Sequence, residues 1–188
     1  LDELRKIIKI DTLEKLAKDK VSLDLIFIIF PELKNINIFS KLNSKNKTLL
    51  KDKDYIFLLS LMIVDDSDNA DYFLYKFNFS KKDQQRIKNI DNFFNKKINS
   101  KTFTKNNMNK VFYYSGKKTT LEILNFRIVR FNKGDSSLDE LKKYYQNKEN
   151  LIMPVSADFL MKKYKIPESK ELGEKLKKIE EEWVSNNF

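Results

Sequence analysis

The sequence predicts an all-α fold, a bundle-like array of about eight to eleven helices that ends in a helix–turn–helix tail. Three observations carry this. Only 3 Gly and 3 Pro occur, far fewer than a chain full of tight turns requires. Apolar residues recur at three- and four-residue steps in one segment after another, and no strand alternation or hairpin dipeptide competes. Hydrophobic residues make up 41% of the chain, with 15 Phe and 8 Tyr, enough to bury a real core. At 188 residues there is room for one large or two small domains.

In chain order, Leu4, Ile7 and Ile8 share one helical face, and Leu13, Leu16 and Ala17 continue it after a break expected at Asp11. Val21-Ser22 reads as a staple and cap opening a buried helix from Leu23 to Phe30, which Pro31 ends. Residues 34–53 are rich in Asn, Ser and Lys, with Ile36, Ile38 and Phe39 as anchors, and read as a connector. Tyr55 to Val64 is a strongly apolar helix. Asp65-Asp66-Ser67-Asp68 reads as a turn, with Asp68 capping a helix over Tyr72, Phe73 and Phe77.

Ser80-Lys81-Lys82-Asp83 is a capping-box variant before a helix reaching about Asn95. Thr104 starts a helix that Gly116 ends, and Leu121, Leu124, Ile128 and Phe131 mark a second one that Gly134 closes. Ser137-Leu138-Asp139-Glu140 is a capping box for a helix to about Asn147. Ser156 caps a helix with Phe159, Leu160 and Tyr164 on one face, and Pro167 redirects the chain. From about Ser169, Leu172, Leu176, Ile179, Trp183 and Val184 form the stripe of the last helix, with Trp183 expected in the interior. The predicted organisation is residues 1–50 as connecting helices, 51–148 as a basic helical body and 149–188 as the tail hairpin. Leu1 lies inside an amphipathic pattern, so the chain reads as the C-terminal part of a longer protein.

Several chemistries are excluded by residue type. There is no Cys and no His, which removes disulfides, thiol chemistry, most zinc sites and every His-dependent catalytic arrangement. The apolar run from Leu23 to Phe30, with Asp24 inside it, is far too short to span a bilayer. With no signal peptide visible, a cytoplasmic location is expected. Asp65, Asp66 and Asp68 are the one carboxylate cluster worth testing for a metal. Paired catalytic carboxylates need a rigid strand beside a phosphate loop, so a solvated turn is the better reading. Glu180, Glu181 and Glu182 read likewise as a solvated helix face.

Binding is the more informative signal. The net charge is +10, yet residues 1–80 are neutral, residues 81–148 carry +11 and residues 149–188 carry −1. No acidic residue occurs between Asp91 and Glu122. Segregation of this kind points to a polyanion. Arg86, Arg127 and Arg130, three of the four arginines, lie in that third, and a planar guanidinium suits phosphate. Lys110, Lys117 and Lys118 cluster with Tyr113 and Tyr114 around the Ser115-Gly116 turn, where aromatics beside cations could stack on exposed bases. In the tail, Lys162, Lys163, Lys165 and Lys170 surround the start of the last helix.

The literal strings of the tail add a resemblance. Residues 154–161 (Pro-Val-Ser-Ala-Asp-Phe-Leu-Met), then Ile166-Pro167, Gly173, Leu176, Glu180, Trp183 and Phe188 resemble the C-terminal tail of bacterial CCA-adding tRNA nucleotidyltransferases, which share a family with poly(A) polymerases. Over about residues 55–145 the resemblance rests on helix lengths and order. Ala157 stands in place of that tail's first glycine, Tyr164-Lys165 where a glycine is usual, and Glu168-Ser169 in place of Gly-Pro, a departure that bears on any backbone–phosphate contact those glycines allow. The resemblance implies a tRNA-binding C-terminal region that positions the tRNA 3′ end for nucleotide addition. The catalytic carboxylates, their Mg²⁺ and the nucleotide-selecting residues would lie in an N-terminal head. None of the head motifs occurs here, so no catalytic residue, no cofactor and no small-molecule substrate is expected in this chain, and a monomer is expected. The other reading is a non-catalytic basic helical adaptor docking on an acidic protein or an anionic membrane surface. Against the membrane, basic residues interleave with core positions instead of forming one amphipathic helix.

Overall fold

The computed structural model describes residues 2–96, 102–131, 136–149 and 151–186. Among these residues the fold is all-α, with eleven α-helices, one 3₁₀ segment and no strand. The helices are α1 (Asp2–Ile7), α2 (Ile10–Leu16), α3 (Lys20–Ile29), α4 (Ser44–Lys51), α5 (Tyr55–Ile63), α6 (Asn69–Lys76), α7 (Lys81–Phe94), α8 (Lys105–Phe131), α9 (Ser136–Asn147), α10 (Ala157–Tyr164) and α11 (Lys170–Ser185). The 3₁₀ segment spans Ile36–Lys41.

The centre is α5. Ile56 through Ile63 are all buried, as expected for a helix apolar on every side. Asp54 caps it, accepting the Phe57 N–H at 3.0 Å. Its last carbonyls are buried too, and burial without partners would be costly. Three side chains, two of them from distant segments, satisfy them. The Asn69 amide donates to Ile63 O at 2.7 Å, the Asn35 amide to Val64 O at 3.0 Å, and Arg130 Nη1 to Leu61 O at 3.2 Å. A cation at this end also complements the helix dipole. Around α5 pack α6, α7, α8 and the 3₁₀ segment, and α8 pairs most extensively with α9. One core runs from Leu4 on α1 to Tyr145 on α9. The tail joins it through α11, which lies on α8, with α10 against α11. Leu160, Leu172 and Val184 are its buried residues.

Local capping follows the sequence closely at several starts. Ser80 Oγ accepts from Asp83 N, the cap, and its hydroxyl donates to Asp83 Oδ2. Ser156 accepts from Phe159 N, and Ser169 from Leu172 N.

Other expectations are corrected. The first break falls at Ile8–Lys9, and Asp11 sits in the first turn of α2. The cap of α3 is Asp19, which accepts from Ser22 N. That helix is not buried: only Ile26 is, while Val21, Leu25, Ile28 and Ile29 face outward at 68%, 56%, 78% and 59% exposure. The connector holds two ordered elements, the 3₁₀ segment and α4. At α6, Asp68 makes no side-chain cap bond, and Ser67 Oγ accepts from Asn69 N instead. Ser137 lies inside α9, which begins at Ser136. On α10, Phe159 and Tyr164 are exposed and only Leu160 is buried. Trp183 is half-buried at the rim of the α8–α11 seam, edge-on to Tyr113 with ring centroids 5.5 Å apart, and Val184 is the buried residue there. The sites expected at Gly134 and Phe188 lie outside the described residues.

Candidate nucleic-acid interface

The basic third folds into α7, α8 and α9. Its exposed cations are spread over all three helices, and some of them flank a break in α8. Gly116 has φ 81° and ψ 166°, outside the helical region although the helix continues on both sides. That conformation is essentially reserved to glycine, because a Cβ there strains the backbone. Space is not the issue, since an added Cβ meets nothing within 4 Å. Gly116→Ala is therefore expected to cost about 1–3 kcal/mol, read by chemical denaturation, with no change in core packing. Thr120 Oγ1 donates to the Gly116 carbonyl at 3.0 Å and holds the restart.

Around this break Lys110 and Lys118 are exposed and Lys117 is half-exposed. Tyr114 is 56% exposed beside them. Tyr113 is used internally: its hydroxyl donates to Glu180 Oε1 at 2.8 Å and its ring meets Trp183. Burial and the adjacent Glu180 carboxylate push the Tyr113 phenol up to about 12. Glu180 and Glu181 of α11 thus line a groove with Lys110 and Tyr114, so the acidic run is not a purely solvated face.

The arginines have other employment. Arg86 joins α7 to two partners at once, donating to Asp54 at 2.8 and 3.1 Å and to Glu122 Oε1 at 2.5 Å. Burial pulls its guanidinium pKa down, and the two carboxylates outweigh that and raise it. Burial likewise pushes Asp54 up, while Arg86, the Phe57 N–H and Lys118 together hold it below the usual carboxylate range. Arg127 lies over the Phe131 ring at 3.7 Å and the Phe103 ring at 5.3 Å. Arg130 closes the end of α5 as described, and burial lowers its pKa. The expected phosphate forks at Arg86 and Arg130 are thus turned into the fold, because each finds a buried acceptor from a segment remote in sequence.

In the tail, Lys162, Lys163, Lys165 and Lys170 are all exposed around the α10–α11 turn. Lys165 ends α10 in the left-handed conformation at φ 53°. Lys163 Nζ sits 5.1 Å from the Phe159 ring centroid and 5.5 Å from that of Tyr164. The structure does not bring this cluster into one group with Lys117 and Lys118; α11 intervenes. Lys45, a lysine that sequence reasoning passed over, joins α4 to α9 by donating to Asp139. Nothing local marks this pair, since its proximity exists only after folding.

In the Asp65–Asp68 turn, Asp65 is engaged by the protein itself. Asp65 accepts from Lys34 at 2.8 Å and from Ser67 Oγ at 2.5 Å. Among the described residues no group of three or more carboxylates is placed to hold a metal ion, and none of their helices is long and apolar enough to cross a membrane.

Compared with known families, residues 48–188 match the model described as tRNA nucleotidyltransferase domain 2. No curated protein and no solved structure matches the chain.

Proposed function

The chain belongs to the tRNA nucleotidyltransferase domain 2 family, and from that premise we propose that it is an RNA-gripping region which holds tRNA while nucleotides are added to the 3′ end at a catalytic site elsewhere. The observation that carries this reading is the cation cluster at the Gly116 break. Lys110 and Lys118 are exposed and Lys117 half-exposed on the one segment that concentrates the chain's positive charge. Such lysines act as point charges on phosphate and carry little sequence information. Exposed Tyr114 adds a face on which an unpaired base can stack. The role suits a protein that must accept many tRNAs by shape and backbone. CCA addition is the reaction the tail motif favours.

Binding of tRNA is expected to weaken steeply with salt, with a log–log slope of about −4 to −5 for five or six phosphate contacts. Lys117→Gln with Lys118→Gln flattens the slope by about 1.5, alike for different tRNAs. Gln keeps most of the aliphatic stem, so lost packing does not imitate lost charge. Lys6 and Lys9, in the neutral first third, serve as the control pair and change little. The chain alone, given ATP, Mg²⁺ and tRNA lacking its terminal adenosine, extends nothing. A folded Lys117/Lys118 variant with wild-type slope and affinity refutes this face as the RNA contact.

A further inference from the structure

We propose that the cavity between the end of α8 and the 3₁₀ segment is a phosphate-binding pocket, in which Arg130, Lys34 and Lys41 hold one phosphate group. The RNA backbone is the expected source, and in that respect the proposal rests on the reading of the chain as a tRNA-gripping region.

Arg130 stands in the last turn of α8. It lines a cavity of about 250 Å³ together with Lys34, Asn35, Asn37, Ile38 and Lys41. Three of these six residues are cations and none is a carboxylate. The inward bond of Arg130, to Leu61 O at 3.2 Å, takes Nη1 only. Nε and Nη2 form the other edge of the guanidinium, the edge that can meet two phosphate oxygens at once. Among the described residues they have no hydrogen bond and no ion pair, and neither is closed off from solvent.

A half-buried guanidinium with no carboxylate at ion-pair distance is electrostatically incomplete. Burial lowers the Arg130 pKa, and Asp66 and Asp65, acting from farther off, offset only part of this. Asp65 is bound by Lys34 at 2.8 Å. The three cations set against these two carboxylates leave one positive charge over. A phosphodiester brings one negative charge and the acceptor oxygens that match it. Lys34 and Lys41 are exposed, so their ammonium groups can turn to the anion, and exposed Asn37 adds amide donors. Size agrees with charge. The cavity is smaller than the roughly 300–1,000 Å³ of pockets that enclose a drug-sized ligand, so a phosphate group enters and a whole nucleotide does not.

The test applies two probes to the whole chain, inorganic phosphate and tRNA. The chain has four arginines, so few guanidinium Nε–H signals appear in an ¹⁵N NMR spectrum, and Arg130→Lys identifies the one at issue. At constant ionic strength, inorganic phosphate moves the Arg130 signal in the wild type and much less in Lys34→Gln with Lys41→Gln. With tRNA, the same variant flattens the log–log salt slope by about 0.7 to 0.9, the share of one phosphate, and binds roughly sixfold more weakly at 0.1 M salt. Lys34→Arg with Lys41→Arg keeps the wild-type slope. Lys41→Gln alone, which leaves the bridge from Lys34 to Asp65 in place, moves the slope in the same direction. Movement of the Arg130 signal by phosphate in a chain that binds no tRNA keeps the pocket and overturns the tRNA-gripping reading. If phosphate moves the signal but the folded double variant keeps the wild-type tRNA slope, the occupant is free phosphate and the RNA backbone is excluded. If tRNA binds, the variant slope is unchanged and neither probe moves the Arg130 signal, the pocket alone is refuted.

Discussion

Arg86→Leu is expected to lower the unfolding free energy by about 3–5 kcal/mol, because it strands a buried carboxylate without a partner. For a chain whose whole stability is of the order of 10 kcal/mol, that is a large share, and the melting temperature falls by roughly 10 °C. Two connections fail together. Glu122, whose side chain is 11% exposed, loses the guanidinium 2.5 Å away. Asp54 loses the two bonds that steady it while it caps α5. Three helices, α5 through its cap, α7 and α8, are tied at this one side chain. Leucine at both Arg86 and Glu122 recovers most of the loss, since no lone charge is then buried. Denaturant titration of the two variants checks this. Wild-type stability in Arg86→Leu with tRNA binding lost is the contrary result, and it returns Arg86 to the RNA surface.

The second large effect is a pH dependence, and Asp91 sets it. This carboxyl is 4% exposed, with Oδ2 accepting from Asn95 at 3.0 Å and Oδ1 without a hydrogen-bond partner. Burial, with Asp71 and Asp65 next in weight, raises it from 3.8 to about 6. Because the folded chain holds the proton more tightly than the unfolded chain, stability is greatest when Asp91 is protonated. It declines as pH climbs from about 4 to about 6 and stays reduced above that. A shift of this size corresponds to about 2–3 kcal/mol. Other carboxyls work in the opposite sense: Asp54, Asp65 and Glu14 are held low and lose their contribution as pH falls. The difference between wild type and Asp91→Asn isolates the one group. That difference should grow by about 2 kcal/mol in favour of the variant between pH 4 and pH 7, followed by denaturant unfolding across the range. A constant difference across that range defeats the assignment.

What could be read from the sequence was what short range decides. Ser80, Ser156 and Ser169 cap their helices within three residues, so the signal and the bond lie in the same few letters. The apolar helix α5 is equally plain, because residues buried on every side leave no polar face. The α3 run has much the same composition, yet four of its aliphatics face outward. Composition fixes no side for such a run until its neighbours are placed. Charge segregation located the basic third but not the use of each residue in it. Arg86 and Arg130 find partners 32 to 69 residues away in the chain, and no local pattern distinguishes a guanidinium that ties helices from one that waits for phosphate.

The half-buried Trp183 makes the α8–α11 seam optically addressable. It is the only tryptophan in the chain, so all indole emission comes from one place. Tyr113 stands edge-on at 5.5 Å, close enough that light absorbed by its phenol is passed to the indole. Separation of the tail helix from α8 would break that transfer and move the emission to longer wavelength as water reaches the ring. The docking of α11 can therefore be followed by intrinsic fluorescence, without a label, while RNA is titrated in.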